Sequence, residues 1–246
     1  MQRVRTLSFQ ASHILIAGRH ILYDGASAFD PGWFEADERR RRGWTAEEAG
    51  GGRQRAEFFR ADGAEYLVKH YGRGGLPARL TEDRYLYRGW NHTRPFAEWR
   101  LLAALHRRGL PAPRPVAASF RRRGAVYTAD LIVASCRPAL PLSGLLRAAP
   151  LGEANWRAIG KTLRRFHDEG VWHADLNAHN VLVDKDAAAV VLVDFDRSRI
   201  RRAANHWKRA NIARLERSLD KLSAQYSALY FSRADFNALR DAYCGG

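Results

Sequence analysis

His173-Ala174-Asp175-Leu176-Asn177-Ala178-His179-Asn180, followed by Val193-Asp194-Phe195-Asp196, decides the reading of this 246-residue chain. Asp175 precedes Asn180 by five residues, and Asp194 follows Asn180 by 14, directly behind the apolar run 190–193. A short β-hairpin between Asn180 and Asp194 would bring the three polar side chains together. Such a group suits phosphoryl transfer to a hydroxyl. That chemistry needs a carboxylate beside the attacking oxygen, oxygen ligands for magnesium on the phosphates, and cations around the transferring group. Magnesium keeps several waters and takes few protein oxygens, so one carboxylate and one Asn amide suffice. The plainer alternative is that Asp175 and Asn180 cap turns and Asp194 ends a strand. His173 reads as a buried, hydrogen-bonding side chain that holds the loop, in preference to a direct catalyst.

The stretch matches the kinase pattern H-x-D-L-x-x-x-N with a relaxed D-F-G. Upstream, Tyr66-Leu67-Val68-Lys69 is an apolar strand ending in one of the chain's five lysines. A lysine there would reach the α- and β-phosphates of ATP, held by a glutamate on a following helix. Glu98, early in a helix expected over 93–107, fits that place. Surface roles for Lys69 and Glu98 are the competing readings. Gly50-Gly51-Gly52-Arg53 stands where a phosphate-covering loop belongs, since glycines let backbone amides approach phosphates. It lacks a full G-x-G-x-x-G, and triple glycines also occur in simple turns.

Working outward, strands are expected over 13–17, 20–23, 54–60, 65–71, 114–120 and 125–134, and a helix over 31–42. Asp62-Gly63 signals a tight hairpin. Trp156, Ile159, Leu163 and Phe166 mark one apolar helix face, and Ile212, Leu215, Leu219, Leu222 and Tyr226 another. A strand-rich part followed by a helical part gives a two-lobed α+β architecture, and the resemblance of the motifs to those of protein kinases implies a protein-kinase-like fold. The expected lobes are residues 1–135, with the glycine loop, Lys69 and Glu98, and residues 136–246, with the catalytic loop and metal ligands. A cleft between lobes is a usual ligand place.

Apolar and aromatic residues make up 46% of the chain, enough for a globular core and against disorder as the main state. Basic residues outnumber acidic ones 41 to 26, a net charge of +15 that points to an anionic partner. Two cysteines make neither a disulfide framework nor a four-ligand zinc site and fit a reducing compartment. The longest apolar run, 187–193, is seven residues, far short of the roughly 20 a membrane span needs. The basic N-terminus is a poor signal peptide, so a cytoplasmic protein is expected.

With these residues in view, the chain resembles the lipopolysaccharide kinases of Gram-negative bacteria, and among them the 3-deoxy-D-manno-octulosonic acid (Kdo) kinases. The resemblance rests on 50–53, 66–75, 83–87, 93–98, 109–115, 173–180 and 193–197. It implies that ATP phosphorylates the 4-hydroxyl of Kdo on Kdo-lipid IVA at the cytoplasmic face of the inner membrane. It implies Asp175 as base, Asn180 and Asp194 as ligands of Mg2+, Lys69 and Glu98 on the ATP phosphates, and adenine near 131–135. Asp196 stands where protein kinases carry the D-F-G glycine, so no flipping activation loop is expected. Only 50 residues follow it, without A-P-E, which argues against a protein kinase.

An anionic glycolipid in an anionic membrane would explain the charge, with peripheral membrane attachment and no nucleic-acid partner. Trp33, Phe34 and Trp44 flank Arg39–Arg42 and suit either a membrane interface or a packed core with a solvated arginine face. Among Arg73, Arg79, Arg84 and Arg88, one or two are expected on substrate phosphate or carboxylate. The alternatives are an inner-core heptose kinase or other small-molecule kinase, or a non-catalytic pseudokinase scaffold. The complete set Lys69, Glu98, Asp175, Asn180 and Asp194 speaks against the last.

Overall fold

The computed structural model describes residues 9–44, 46–48, 56–71 and 85–245, with 46–48 by backbone alone. The chain forms two compact units. One holds Met1–Arg107 and Arg114–Ser135, the other Arg108–Pro113 and Cys136–Gly246.

The first unit carries β1 (Ala11–Ile16), β2 (Arg19–Asp24), a 3-10 turn (Pro31–Phe34), α1 (Ala36–Arg41), β3 (Ala46–Glu48), β4 (Ala56–Ala61) and β5 (Ala64–His70). It continues with β6 (Tyr85–Leu86), α2 (Arg94–Arg107), β7 (Pro115–Arg123) and β8 (Val126–Ala134). Among the described residues these strands make one antiparallel sheet in the order β1-β2-β7-β8-β5-β4-β3, with β6 also on β8. The β4–β5 turn is Asp62-Gly63, with φ of +52° and +74°. That geometry matches the strand twist, and it fixes the register that sets Ala56 opposite Lys69. On its other side Lys69 faces Leu131, so β5 is an interior strand.

One helix was expected over 31–42, and the structure divides it. Glu35 is extended, at φ −100° and ψ 116°. Its carboxylate takes Arg19 at 3.1 Å and Arg121 at 2.7 Å, ion pairs that the extended residue makes. The aromatics beside it pack inward. Trp33 is fully buried and Phe34 nearly so, on Phe59, Val68 and Ile132, with Trp44 against the same cluster. Arg39 is buried too, donating to the Trp33 carbonyl and to Glu57. The packed-core reading therefore holds for these aromatics, and the membrane-interface reading does not.

The second unit carries β9 (Leu140–Pro141), α3 (Leu142–Ala148), α4 (Glu153–Asp168), β10 (Val171–Trp172), β11 (Val181–Asp184) and β12 (Ala189–Leu192). After these come β13 (Arg199–Ile200), α5 (Asn205–Gln225) and α6 (Arg233–Cys244). Trp156, Ile159, Leu163 and Phe166 line the buried face of α4 as the spacing predicts. Leu215, Leu219 and Leu222 do the same on α5, while Tyr226 falls just past its end, with an extended backbone. Residues 108–113 go with this unit. Their carbonyls bind it: Gly109 accepts from Arg165 and Pro111 from the Leu192 amide. Among the described residues no helix is long and apolar enough to cross a membrane.

Candidate active site

In the first unit, α2 buries Phe96, Trp99, Leu102 and Leu105, and that face also carries Glu98, only 4% exposed. A buried carboxylate is costly without partners. Here Lys69 Nζ lies 3.2 Å from Oε2 and 3.4 Å from Oε1. The Tyr71 hydroxyl donates to the same Oε2 in a short hydrogen bond. Lys69 is itself buried, with Nζ 4.9 Å from the centre of the Tyr71 ring. Next to it, His70 pairs with Asp130 at 2.6 Å. Burial alone would raise the Asp130 carboxyl. The hydrogen bond from His70 and the Arg19 guanidinium outweigh it and hold the carboxyl below the usual range.

In the second unit, the loop after β10 is closed by its own polar groups. The Asp175 carbonyl accepts from Asn180 Nδ2 at 2.9 Å and from Asn177 Nδ2 at 3.2 Å. Asn177 Oδ1 receives the amides of His179 and Asn180. Leu176 and Ala178 are fully buried and anchor the turn. Asn180 then opens β11, whose antiparallel partner β12 sets Val181 opposite Leu192. The Val193 amide donates to the Asn180 carbonyl at 3.0 Å. The hairpin thus delivers Asp194 beside Asn180. Asp194 has φ +60°, a left-handed conformation that Asp adopts more readily than most residues. Phe195 is buried, stacked on Phe166 at 5.8 Å and tilted against the His173 ring at 4.9 Å, and fixes the segment.

His173 is 2% exposed. Its Nδ1 accepts from the Asp175 amide, so Nε2 carries the proton and donates to the Val193 carbonyl at 2.9 Å. One ring ties the 173–180 loop to the segment that carries Asp194, which is a holding role. The Asp175 carboxylate is left 60% exposed and faces Arg214 at 3.5 Å.

The structure thus brings Lys69 to Glu98, and Asp175 to Asn180 and Asp194. Gly50, Gly51 and Gly52, with Arg53, Arg73, Arg79 and Arg84, lie outside the described residues. Arg88 is exposed.

A sequence model of the lipopolysaccharide kinase (Kdo/WaaP) family matches residues 33–243. The chain belongs to this family. Curated relatives named 3-deoxy-D-manno-octulosonic acid kinase, from Stenotrophomonas maltophilia K279a, Xylella fastidiosa M12 and Xanthomonas euvesicatoria 85-10, are each 42% identical over 193 residues. Each match covers 78% of this chain and 76% of the relative. A solved structure, WaaP in complex with acyl carrier protein, superposes with a TM-score of 0.54 at 19% identity, over 87% of this chain and 82% of that one. The kinase-like α+β fold is therefore shared with WaaP. As a lipopolysaccharide kinase of the Kdo/WaaP family, the protein is an ATP-using phosphotransferase of lipopolysaccharide core biosynthesis, with an alcohol group as acceptor.

Four side chains of this lipopolysaccharide kinase's site escape the sequence reading: Tyr71, Asn211, Arg214 and Ser218. Asn211 is 2% exposed. Its Oδ1 takes the His173 amide and its Nδ2 donates to the His173 carbonyl. Ser218 Oγ receives the Ala178 amide at 3.1 Å. The sequence signal was available: Asn211, Arg214 and Ser218 recur at helical spacing on α5, among apolar residues that only pack.

Proposed function

We propose that the protein transfers the γ-phosphoryl group of ATP to the 4-hydroxyl of Kdo on Kdo-lipid IVA, at the cytoplasmic face of the inner membrane. One observation carries the reading. Asn180 gives its amide nitrogen to the Asp175 carbonyl and its backbone carbonyl to the Val193 amide. The loop bearing a base and the strand end bearing a second carboxylate therefore hinge on a single residue. The relatives named Kdo kinase support Kdo as the acceptor sugar.

In this reading the exposed Asp175 carboxylate accepts the proton of the attacking hydroxyl and orients its oxygen. The new O–P bond forms as the bond to the bridging oxygen of ADP breaks. Lys69, held by Glu98 and Tyr71, donates to the α- and β-phosphates. The Asn180 nitrogen is committed to the loop, which turns its Oδ1 toward a ligand. Together with the Asp194 carboxylate this is a hard-oxygen pair of the kind Mg2+ takes alongside phosphates and waters. When bound, magnesium neutralises charge on the phosphates. Gly50, Gly51 and Gly52 are proposed as the loop that covers them.

Mass spectrometry of Kdo-lipid IVA after incubation with protein, ATP and magnesium tests the reading. One added phosphate, placed on Kdo by fragmentation, is expected from the wild type. Asp175→Ala should lose at least 10³-fold in turnover, near the middle of the range for a general base, while still binding nucleotide. Phosphate on a heptose acceptor only would move the acceptor assignment. Turnover by Asp175→Ala within tenfold of wild type would remove the base.

A further inference from the structure

Beside the Asp175 carboxylate, α5 carries three cations, Arg214, Arg217 and Lys221. Their spacings of three and four residues put them on one helix face. They line a cavity of about 460 Å³ whose other wall includes Asp175, Asn177 and His179. Helix stability does not account for the arrangement. Like charges three and four residues apart disfavour a helix by a few tenths of a kcal/mol per pair. The nearby acids do not relieve it: Glu216 and Asp220 both pair with Arg233, at 2.8 and 3.1 Å. Among the described residues Arg217 and Lys221 have no carboxylate partner. Arg214 reaches only Asp175, at the long distance of 3.5 Å. Three cations and one carboxylate thus line the same cavity, which opens on the group proposed to take the acceptor's proton.

We infer that this face of α5 is the acceptor's anion subsite: Arg217 and Lys221 bind an oxyanion of the acceptor, a carboxylate or a phosphate, while its hydroxyl lies at Asp175. Arg214, between the two, is the positioning residue that orients the Asp175 carboxylate. The inference rests on the proposed Kdo-kinase reading and deepens it. The surplus of two positive charges selects an acidic acceptor and rejects a cationic one. It also places the selectivity on a helix face that no kinase motif marks. Guanidinium and ammonium groups make charge-assisted hydrogen bonds to oxyanions, about twice as strong as neutral ones.

The test uses the full chain, at saturating ATP and varied Kdo-lipid IVA. Arg217→Ala and Lys221→Ala should each raise the acceptor KM roughly tenfold and leave the ATP KM within twofold. Arg217→Lys should recover part of the loss. Arg209→Ala, an exposed arginine on another face of α5, controls for net charge and should change neither constant. A double variant whose acceptor KM stays within twofold of wild type overturns the subsite. A second acceptor, Kdo on a short alkyl chain, carries the carboxylate without the lipid phosphates. Persistence of the defect on it assigns the oxyanion to the carboxylate, and its disappearance assigns it to phosphate. Equilibrium binding of Kdo-lipid IVA, read without turnover, separates the two readings. If wild type binds but does not phosphorylate it, the function fails. The subsite then stands if the double variant binds at least tenfold more weakly and falls if it binds equally. Absence of binding by wild type overturns the subsite as well.

Discussion

Tyr71 shows how much of the Lys69–Glu98 pair, proposed to hold the nucleotide, depends on one hydroxyl. The Glu98 carboxylate is buried and takes both Lys69 and the Tyr71 hydroxyl. A hydrogen bond to a charged group contributes roughly 1.5–3 kcal/mol. Tyr71→Phe keeps the ring under Lys69 and removes only the donor. It should lower kcat/KM for ATP about tenfold with little change in the acceptor KM. Steady-state kinetics with each substrate varied in turn checks this, and equal losses for both substrates would mean a general structural role. Lys69 and Glu98 were legible because a lysine closing an apolar strand and a glutamate opening the next helix form a pattern along the chain. Tyr71 was not: its role depends on a partner 27 residues away, and a tyrosine after a strand carries no sign of what its hydroxyl meets. Asn211 escaped for the same reason, since its two bonds to His173 cross 38 residues.

At the scale of elements, the α4–α6 contact turns on Gly160. A Cβ there would sit 2.1 Å from the Leu239 carbonyl oxygen and 3.0 Å from the Tyr243 amide nitrogen. Backbone cannot yield as a side-chain end can. In an unconstrained helix interior Gly→Ala adds about 1 kcal/mol of stability. Here Gly160→Ala should instead lose about 1–3 kcal/mol, the usual range for overpacking, seen as a lower urea midpoint. A higher midpoint would mean the helices do not approach so closely. His167 sits at the same junction, 2% exposed, with Nδ1 2.8 Å from the Tyr243 hydroxyl and its ring edge-on to Trp207. Burial pushes it down from 6.5 to about 4, against a hydrogen bond with Asn211 and with help from the Lys208 charge. The unfolded chain therefore binds the proton first as pH falls below 6.5, and stability drops until the folded imidazole also protonates near pH 4. Between pH 7.5 and pH 5 this amounts to about 2 kcal/mol. Urea unfolding at both values should show that loss in wild type and a smaller one in His167→Gln. These elements were themselves legible from periodicity, as the buried faces of α4 and α5 show. The break at Glu35 was not, because it answers to Arg19 and Arg121, which only the sheet brings to it.

At the scale of the whole molecule, the charge of +15 and the burial of Trp33 and Phe34 beside Arg39–Arg42 constrain how the proposed membrane contact would be made. Trp33 and Phe34 belong to the core and cannot enter a bilayer without unfolding the first unit. The exposed large apolar side chains, such as Leu15, Leu86, Leu140 and Ile200, lie on several strands, and among the described residues none is on an α-helix. Among the described residues no α-helix therefore presents a large exposed apolar side chain to insert. The described residues offer such a membrane contact electrostatic attraction, about 1 kcal/mol for each basic residue near an anionic surface. It is confined to about a Debye length, 10 Å at 0.1 M salt and 3 Å at 1 M. The protein should therefore sediment with vesicles containing a third phosphatidylglycerol at 50 mM NaCl. It should stay in the supernatant with neutral phosphatidylcholine vesicles, and leave the anionic ones almost completely by 0.5 M. Retention at 1 M NaCl would show that apolar side chains enter the bilayer and that attachment does not rest on arginine charge. Release by salt would mean that arginine charge holds the enzyme at the membrane. Lowering the net charge at surface arginines away from α5 should then weaken vesicle binding while leaving the acceptor KM for detergent-dispersed substrate unchanged.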